Sequence, residues 1–149
     1  MPSSSIKKII PCKKSDLINL ILDIEKYPEF VPWCLSGKVH KKNFMNDMIE
    51  MEADLTVGKK FLNQTYKSHV IYYKEKDKII VNNIGGPLKH LKNEWHIKQI
   101  NNQSEVNFKI DFEIKNIVYN LIMSKSFDQG LRKIADAFEK RAVQLFKNT

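Results

Sequence analysis

Histidine and cysteine side chains are the first candidates for chemistry in this sequence, because they bind metals and act as bases or nucleophiles. The histidines are His40, His69, His90 and His96. They form no HExxH motif, and neither Cys12 nor Cys34 lies at zinc-ligand spacing from a histidine. The sequence therefore predicts no metal site.

Catalysis requires acids and bases that converge on a pocket, and the sequence shows no such set. Asp111 and Glu113 alternate with apolar neighbours in a strand pattern that directs both carboxylates to solvent. Cys34 has no evident base, and a lone cysteine is more often a small buried apolar residue than a reactive thiol. The Gly-Gly-Pro segment 85–87 lacks the Lys-Ser or Lys-Thr of a phosphate-binding loop. We therefore expect a protein that is not an enzyme and needs no cofactor.

Composition limits the class of protein. The 149 residues, 42% of them hydrophobic, suffice for one domain spanning 1–149. Two cysteines and no signal-peptide pattern favour a reducing, cytoplasmic setting. The apolar runs are shorter than the roughly 20 residues of a membrane-spanning helix, so a peripheral attachment is the closest expected association with a membrane.

The net charge of +8 favours an acidic partner such as a membrane surface or a nucleic acid. All but two of the 25 basic residues are lysine, and isoleucine and asparagine are also abundant, as in AT-rich genomes. We attribute most of the charge to that bias. The lysines lie singly or in pairs, without the arginine cluster of a dedicated RNA-binding segment, and we expect no DNA partner.

Hydrophobic periodicity predicts the order strand, helix pair, six strands, long helix. A strand over Ser3–Ile10 precedes a helix over about Lys13–Ile24, which should stop before Tyr27-Pro28 and be followed by a helical turn at Glu29-Phe30. The six further strands are expected at 35–42, 49–57, 61–73, 78–84, 91–97 and 106–114. Leu35, Gly37 and Val39 should share one face.

The last thirty or so residues change to helical period and carry one apolar stripe. Short turns between successive strands predict an antiparallel sheet, and its single dry face needs a cover. The C-terminal helix is the only predicted element long enough. We therefore predict an α+β fold in which a curved antiparallel sheet wraps around the long C-terminal helix.

Two stretches carry a resemblance to a known family. They are Tyr27-Pro28-Glu29-Phe30-Val31-Pro32-Trp33-Cys34 and Gly86-Pro87-Leu88-Lys89-His90-Leu91-Lys92-Asn93-Glu94-Trp95. Together with their spacing and the C-terminal helix, they resemble the coenzyme-Q-binding and RatA family of START-like proteins, within the polyketide cyclase/dehydrase superfamily. The resemblance covers nearly the whole chain and implies a helix-grip fold with a hydrophobic ligand between sheet and helix.

The resemblance implies two functions. In one, the chain binds ubiquinone (coenzyme Q) or another isoprenoid lipid and supports respiratory quinone function, from the cytoplasm at the inner membrane of a bacterium or on the matrix side of a mitochondrion. In the other, it is a RatA-like toxin that binds the large ribosomal subunit and inhibits subunit association. That the protein is a cyclase-type enzyme is a third hypothesis, which we favour less.

The expected ligand-binding residues are apolar. They are Phe30, Val31, Pro32, Trp33, Leu55, Val57, Tyr66, Leu91, Trp95, Phe112, Phe127, Leu131, Ile134 and Phe138. Trp33 and its loop form a candidate gate at the cavity mouth, where an indole tolerates a half-wet position. The alternative, that Trp33 fills the core, stays open, because a pocket and a core use the same side chains.

Overall fold

Seven strands form one antiparallel sheet in the order β1-β7-β6-β5-β4-β3-β2. The strands are β1 (Ser3–Ile10), β2 (Cys34–Met45), β3 (Met48–Lys59), β4 (Leu62–Tyr73), β5 (Lys78–Gly85), β6 (Leu88–Ile100) and β7 (Gln103–Ile114). The computed structural model describes residues 3–59, 62–86, 88–114 and 117–146. The predicted α+β fold, a curved antiparallel sheet with a long C-terminal helix, is confirmed.

The helices lie between β1 and β2 and after β7. They are α1 (Lys14–Leu22), a 3-10 helix (Ile24–Glu29) and α2 (Ile117–Phe146). At 1.5 Å per residue the 30 residues of α2 extend about 45 Å, enough to cross the sheet. The 3-10 helix packs on β2, whereas α2 packs on β1 and β7.

The core lies between the concave face of the sheet and the helices. Its most deeply buried apolar side chains are Ile10, Leu17, Ile18, Ile21, Met51, Ala53, Val70, Ile79, Ile97, Val106, Leu131, Phe138 and Ala142. Residues two apart along each strand share a face, so the period-two pattern of the sequence determines which side chains enter this core.

Two details of the sequence prediction were wrong. The first helix stops before Tyr27-Pro28 as predicted, at Leu22, but the helical turn expected at Glu29-Phe30 is instead a 3-10 helix over Ile24–Glu29 that includes Pro28. Leu35 was expected to share a face with Gly37 and Val39, but it is 52% exposed, whereas Val39 packs against the core. A register shift between Cys34 and Ser36 breaks the alternation at Leu35, as a bulge does.

In the described part of the chain, no helix combines the length and apolar character needed to cross a bilayer.

Candidate ligand-binding site

Burial on the concave face of the sheet changes from one end to the other. We call the end where β2 begins the Trp33 end, and the opposite end, at the β2–β3 turn, the hairpin end. Towards the hairpin end Ile79 and Ile97 on the central strands are closed off from solvent, with 1% and 0% exposure, while Ile49 and Tyr72 on β3 and β4 are partly buried. Towards the Trp33 end the inward side chains are only half-buried, and they include Leu55, Val57, Tyr66 and Leu91. The apolar face is therefore incompletely covered at the Trp33 end.

Phe138 of α2 lies at the centre of an aromatic cluster that joins the helix to the sheet. Its ring centroid is 5.2 Å from that of Trp95, 5.1 Å from that of Phe30 and 5.3 Å from that of Tyr27, each in edge-to-face geometry. Trp95 in turn contacts Phe108 at 4.5 Å. Such pairs stabilise beyond their burial, so the cluster holds the 3-10 helix, α2 and β6 together.

Charged groups hold the same half of α2. The Lys8 ammonium on β1 lies 2.7 Å from Asp136 and 2.8 Å from Glu139. The hydrogen bonds to these two carboxylates raise the pKa of Lys8. Arg141 pairs with Glu29 at 2.7 Å. The C-terminal half of α2 is thus held to both β1 and the 3-10 helix.

Trp33 lies where β2 meets α2. Its φ of 63° is in the left-handed region, which non-glycine residues rarely occupy. Its carbonyl accepts a hydrogen bond from the Gly58 N–H at 2.9 Å, and its ring lies against Gly130, with the Lys133 ammonium 5.9 Å from the ring centroid. The half-buried indole thus closes the space between β2, the end of β3 and α2.

A small apolar cavity lies between α2 and the sheet. Its volume is about 20 Å³, and it is lined by Ile6, Lys8, Ile10, Trp95, Val106, Phe108, Ile134, Ala135 and Phe138. That volume accommodates about one water molecule. A lipid tail therefore enters this part of the interface only if α2 moves away from the sheet.

Polar side chains interrupt the apolar concave face near its half-buried end. Four polar residues occupy inward positions in the strand alternation: Tyr66 and Ser68 on β4, Asn83 on β5 and Asn93 on β6. Burial raises the pKa of the Tyr66 hydroxyl, so this group stays protonated and can donate a hydrogen bond. The sequence pattern placed Asn93 inward, but the predicted ligand-binding set omitted it. An amide within an otherwise apolar inward series is the signal that was available.

The groups considered for chemistry lie outside this surface or are unreactive. His40 pairs with Asp54 at 2.7 Å and His69 with Glu50 at 3.2 Å, both on the convex face. Across the described residues, no three histidine, cysteine or acidic side chains gather as metal ligands. Cys34 is 6% exposed and burial raises the pKa of its thiol, which disfavours the nucleophilic thiolate.

The structure distributes the predicted ligand-binding residues over three regions. Phe30, Val31, Pro32 and Trp33 are half-buried in the segment after the 3-10 helix, with Phe30 against Phe138. Leu55, Val57, Tyr66, Leu91 and Trp95 lie on the concave face, while Leu131, Ile134 and Phe138 lie on α2. The side chains of Phe112 and Phe127 lie outside the described part of the structure. Trp95, Ile134 and Phe138 meet at the small cavity.

A seven-stranded antiparallel sheet that holds a long C-terminal helix defines a START-like protein of the helix-grip class. The family model described as "polyketide cyclase / dehydrase and lipid transport" matches residues 10–139, and the chain belongs to this family. This result confirms the family expected from the two sequence stretches.

Two curated relatives and one solved structure are similar over most of the chain. The ribosome association toxin RatA of Rickettsia prowazekii (strain Madrid E) is 30% identical over 143 residues, which cover 94% of this chain and 95% of that protein. The mitochondrial coenzyme Q-binding protein COQ10 of Dictyostelium discoideum is 30% identical over 135 residues, covering 89% and 64%. The solution structure of an 18 kDa protein from Caulobacter crescentus has a TM-score of 0.79 at 28% identity, covering 97% and 98%.

Proposed function

We propose that this protein binds an isoprenoid lipid, specifically ubiquinone, between the sheet and α2 near the Trp33 end. The observation that carries this proposal is the apolar concave face there, where Leu55, Val57 and Leu91 are only half-buried. In a protein with no ligand such a surface is unfavourable, and a lipid tail would cover it. The relative named as a coenzyme Q-binding protein supports the choice of ubiquinone.

The free energy of binding comes mainly from the tail. Apolar burial contributes roughly 25 cal/mol per Å², so a few hundred Å² of buried tail supplies several kcal/mol. Part of this gain is offset by moving α2 and by the lost freedom of the ligand. The residues proposed to contact the ligand are those predicted from sequence, with Trp33 as the gate.

The same end of the molecule has features suited to a membrane surface. Leu35 and Ile84 are 52% and 47% exposed at the Trp33 end of β2 and β5, and Lys67 and Lys133 are exposed there. Exposed apolar side chains near lysines fit the interface of an anionic bilayer. We place the protein peripherally on the cytoplasmic side of a bacterial inner membrane, or on the matrix side in a eukaryote.

We assign binding rather than catalysis to this surface. The two curated relatives described above are named for ribosome association and for coenzyme Q binding. The thiol of Cys34 and the hydroxyl of Tyr66 both have raised pKa values, which makes them poor nucleophiles or bases near neutral pH.

The first test is to purify the protein from a ubiquinone-producing host, extract it with organic solvent and identify the released lipid by mass spectrometry. We expect stoichiometric ubiquinone in the wild type. Leu91→Trp fills the half-buried face and should release the lipid, whereas Lys92→Trp places the same ring on the exposed convex face and should retain it. Equal lipid in both variants, or none in the folded wild type, would reject the proposed site.

A second candidate function is binding to the large ribosomal subunit. The relative named as a ribosome association toxin favours it, because the alignment with this chain covers 95% of that protein's length. RNA binding by lysines weakens steeply as salt rises, whereas burial of a lipid tail does not. Cosedimentation with large subunits at low salt, lost at higher salt and retained by Leu91→Trp, would establish this function as independent of the lipid site.

A further inference from the structure

Asn93 is a polar residue in an apolar position. It lies on the concave face in the middle of β6, where its direct cross-strand partners are Val81 on β5 and Ile110 on β7. The inward residues on either side of it along β6 are Leu91 and Trp95. Val81, Ile110 and Leu91 carry no hydrogen-bonding side chain, and the indole N–H of Trp95, the one donor among these neighbours, makes no hydrogen bond to the amide oxygen of Asn93.

The amide oxygen of Asn93 is buried and has no hydrogen-bond partner among the described residues. A buried acceptor without a partner is unfavourable, and most buried polar groups in proteins avoid this condition. Two further polar residues lie close to Asn93 on the same face of the sheet, on β5 and β4. Asn83 occupies the next inward position on β5, and its cross-strand partner on β4 is Ser68. The concave face therefore carries a small polar patch, made of Ser68, Asn83 and Asn93.

This patch lies at the boundary between the closed and the half-buried parts of the concave face. Along β6 from the Trp33 end, Leu91 is half-buried, Asn93 follows, and then Trp95 and Ile97 are 7% and 0% exposed. A ligand that enters from the Trp33 end therefore meets Asn93 at the inner limit of the accessible surface. At that limit the patch offers hydrogen-bonding groups, which suit the polar end of a ligand better than its tail.

We infer that Asn93 hydrogen-bonds the head group of the bound lipid, with the head inward and the tail directed towards Trp33. This inference rests on the proposed function and adds the group that selects the ligand. The unpartnered oxygen of Asn93 can accept a hydrogen bond from a ring hydroxyl, as in a quinol, and the NH2 group of the same carboxamide can donate to a ring carbonyl, as in a quinone. The ligand class is thus a lipid whose head carries carbonyl or hydroxyl oxygens, and one side chain serves both a quinone and the corresponding quinol.

The test compares two ligands and three proteins. The ligands are a short-tailed ubiquinone and an isoprenoid hydrocarbon of the same tail length, each titrated in detergent. The proteins are the wild type, Asn93→Leu and the control Asn82→Leu, which makes the same change on the exposed face of β5. We expect Asn93→Leu to bind the quinone about tenfold more weakly, while its affinity for the hydrocarbon is unchanged. Asn82→Leu should behave as the wild type.

The outcomes separate this inference from the proposed function. A wild type that binds neither ligand rejects the proposed function, and the inference with it. A wild type that prefers the quinone, with the same preference in Asn93→Leu, rejects the inference alone. If Asn93→Leu fails to fold, Asn93→Ala takes its place in the same titrations, and an unchanged preference for the quinone again rejects the role of Asn93.

Discussion

The indole of Trp33 lies directly over Gly130 in the middle of α2: two of its ring carbons are 3.9 Å from the position that a Cβ on Gly130 would occupy. This distance is ordinary van der Waals contact, so a methyl group fits beneath the ring. A larger side chain does not. Gly130 thus allows Trp33 to approach the helix at the Trp33 end of the sheet.

We predict opposite effects for two substitutions at Gly130. Gly130→Ala should raise the free energy of unfolding by up to about 1 kcal/mol, because alanine is the better helix former and its methyl group fits. Gly130→Leu should displace the indole, lower stability and, if Trp33 is the gate, speed ligand release. Urea unfolding and a ligand dissociation rate measure the two effects. A Gly130→Leu variant with wild-type dissociation would argue against Trp33 as the gate.

Gly37 on β2 is predicted to tolerate no side chain. A Cβ there would lie 2.3 Å from the carbonyl oxygen of Ile24, so the backbone of the 3-10 helix would have to move. We expect Gly37→Ala to lower the free energy of unfolding by on the order of 3 kcal/mol. Gly85→Ala is the matched control, because its Cβ would meet the Lys67 side chain at 3.5 Å, an ordinary contact. Equal unfolding midpoints for the two variants would contradict this prediction.

Phe138 should be among the most sensitive positions for stability. It is 3% exposed and contacts the rings of Tyr27, Phe30 and Trp95. Truncation to alanine leaves a cavity and should cost about 3–5 kcal/mol. Phe44→Ala removes the same group from a side chain that is 70% exposed and should change stability by less than about 0.5 kcal/mol. A small loss for Phe138→Ala would mean that α2 repacks freely on the sheet.

Period-two alternation in the sequence was enough to predict the sheet and its dry face. It failed at Leu35 because a register shift cannot be read from alternation, and at Pro28 because short-range contacts outside the pattern support the 3-10 helix. The backbone N–H of Lys26 donates to the Asp23 carbonyl and that of Phe30 to the Tyr27 carbonyl, each at 3.1 Å; these bonds close the turn before Pro28 and the turn that contains it.

The candidate site could be predicted only in part. The pattern showed that Leu91, Asn93 and Trp95 share a face, which the strand register supports. It could not show that burial increases from Leu91 to Trp95, because that depends on where α2 crosses the sheet. Because apolar side chains alone suit contact with a lipid tail, the sequence prediction did not include the amide of Asn93.

Stability should fall at alkaline pH through Cys12. Burial raises the pKa of its thiol to about 11 from an ordinary value of 9.0. The folded protein therefore holds this proton more tightly than the unfolded chain, so the stabilisation is complete below pH 9 and is lost as pH rises towards 11. Cys12→Ala lacks this contribution. The free energies of unfolding of the wild type and of Cys12→Ala are measured with reductant from pH 8 upward. Above pH 9 the value for the wild type should fall relative to that for the variant. A constant difference between the two proteins would show that the pKa of Cys12 is not raised.

Membrane attachment should depend on which end of the molecule carries positive charge. Each lysine near an anionic surface contributes about 1 kcal/mol, and Lys67 and Lys133 are exposed at the Trp33 end. The double variant Lys67→Glu/Lys133→Glu should therefore bind vesicles containing anionic lipid at least tenfold more weakly in a cosedimentation assay. Lys41→Glu/Lys42→Glu makes the same change in net charge at exposed positions of β2 near the hairpin end. If both double variants lose binding equally, net charge alone drives attachment and the Trp33 end has no special part in it. If only Lys67→Glu/Lys133→Glu loses binding, the lipid entrance faces the bilayer.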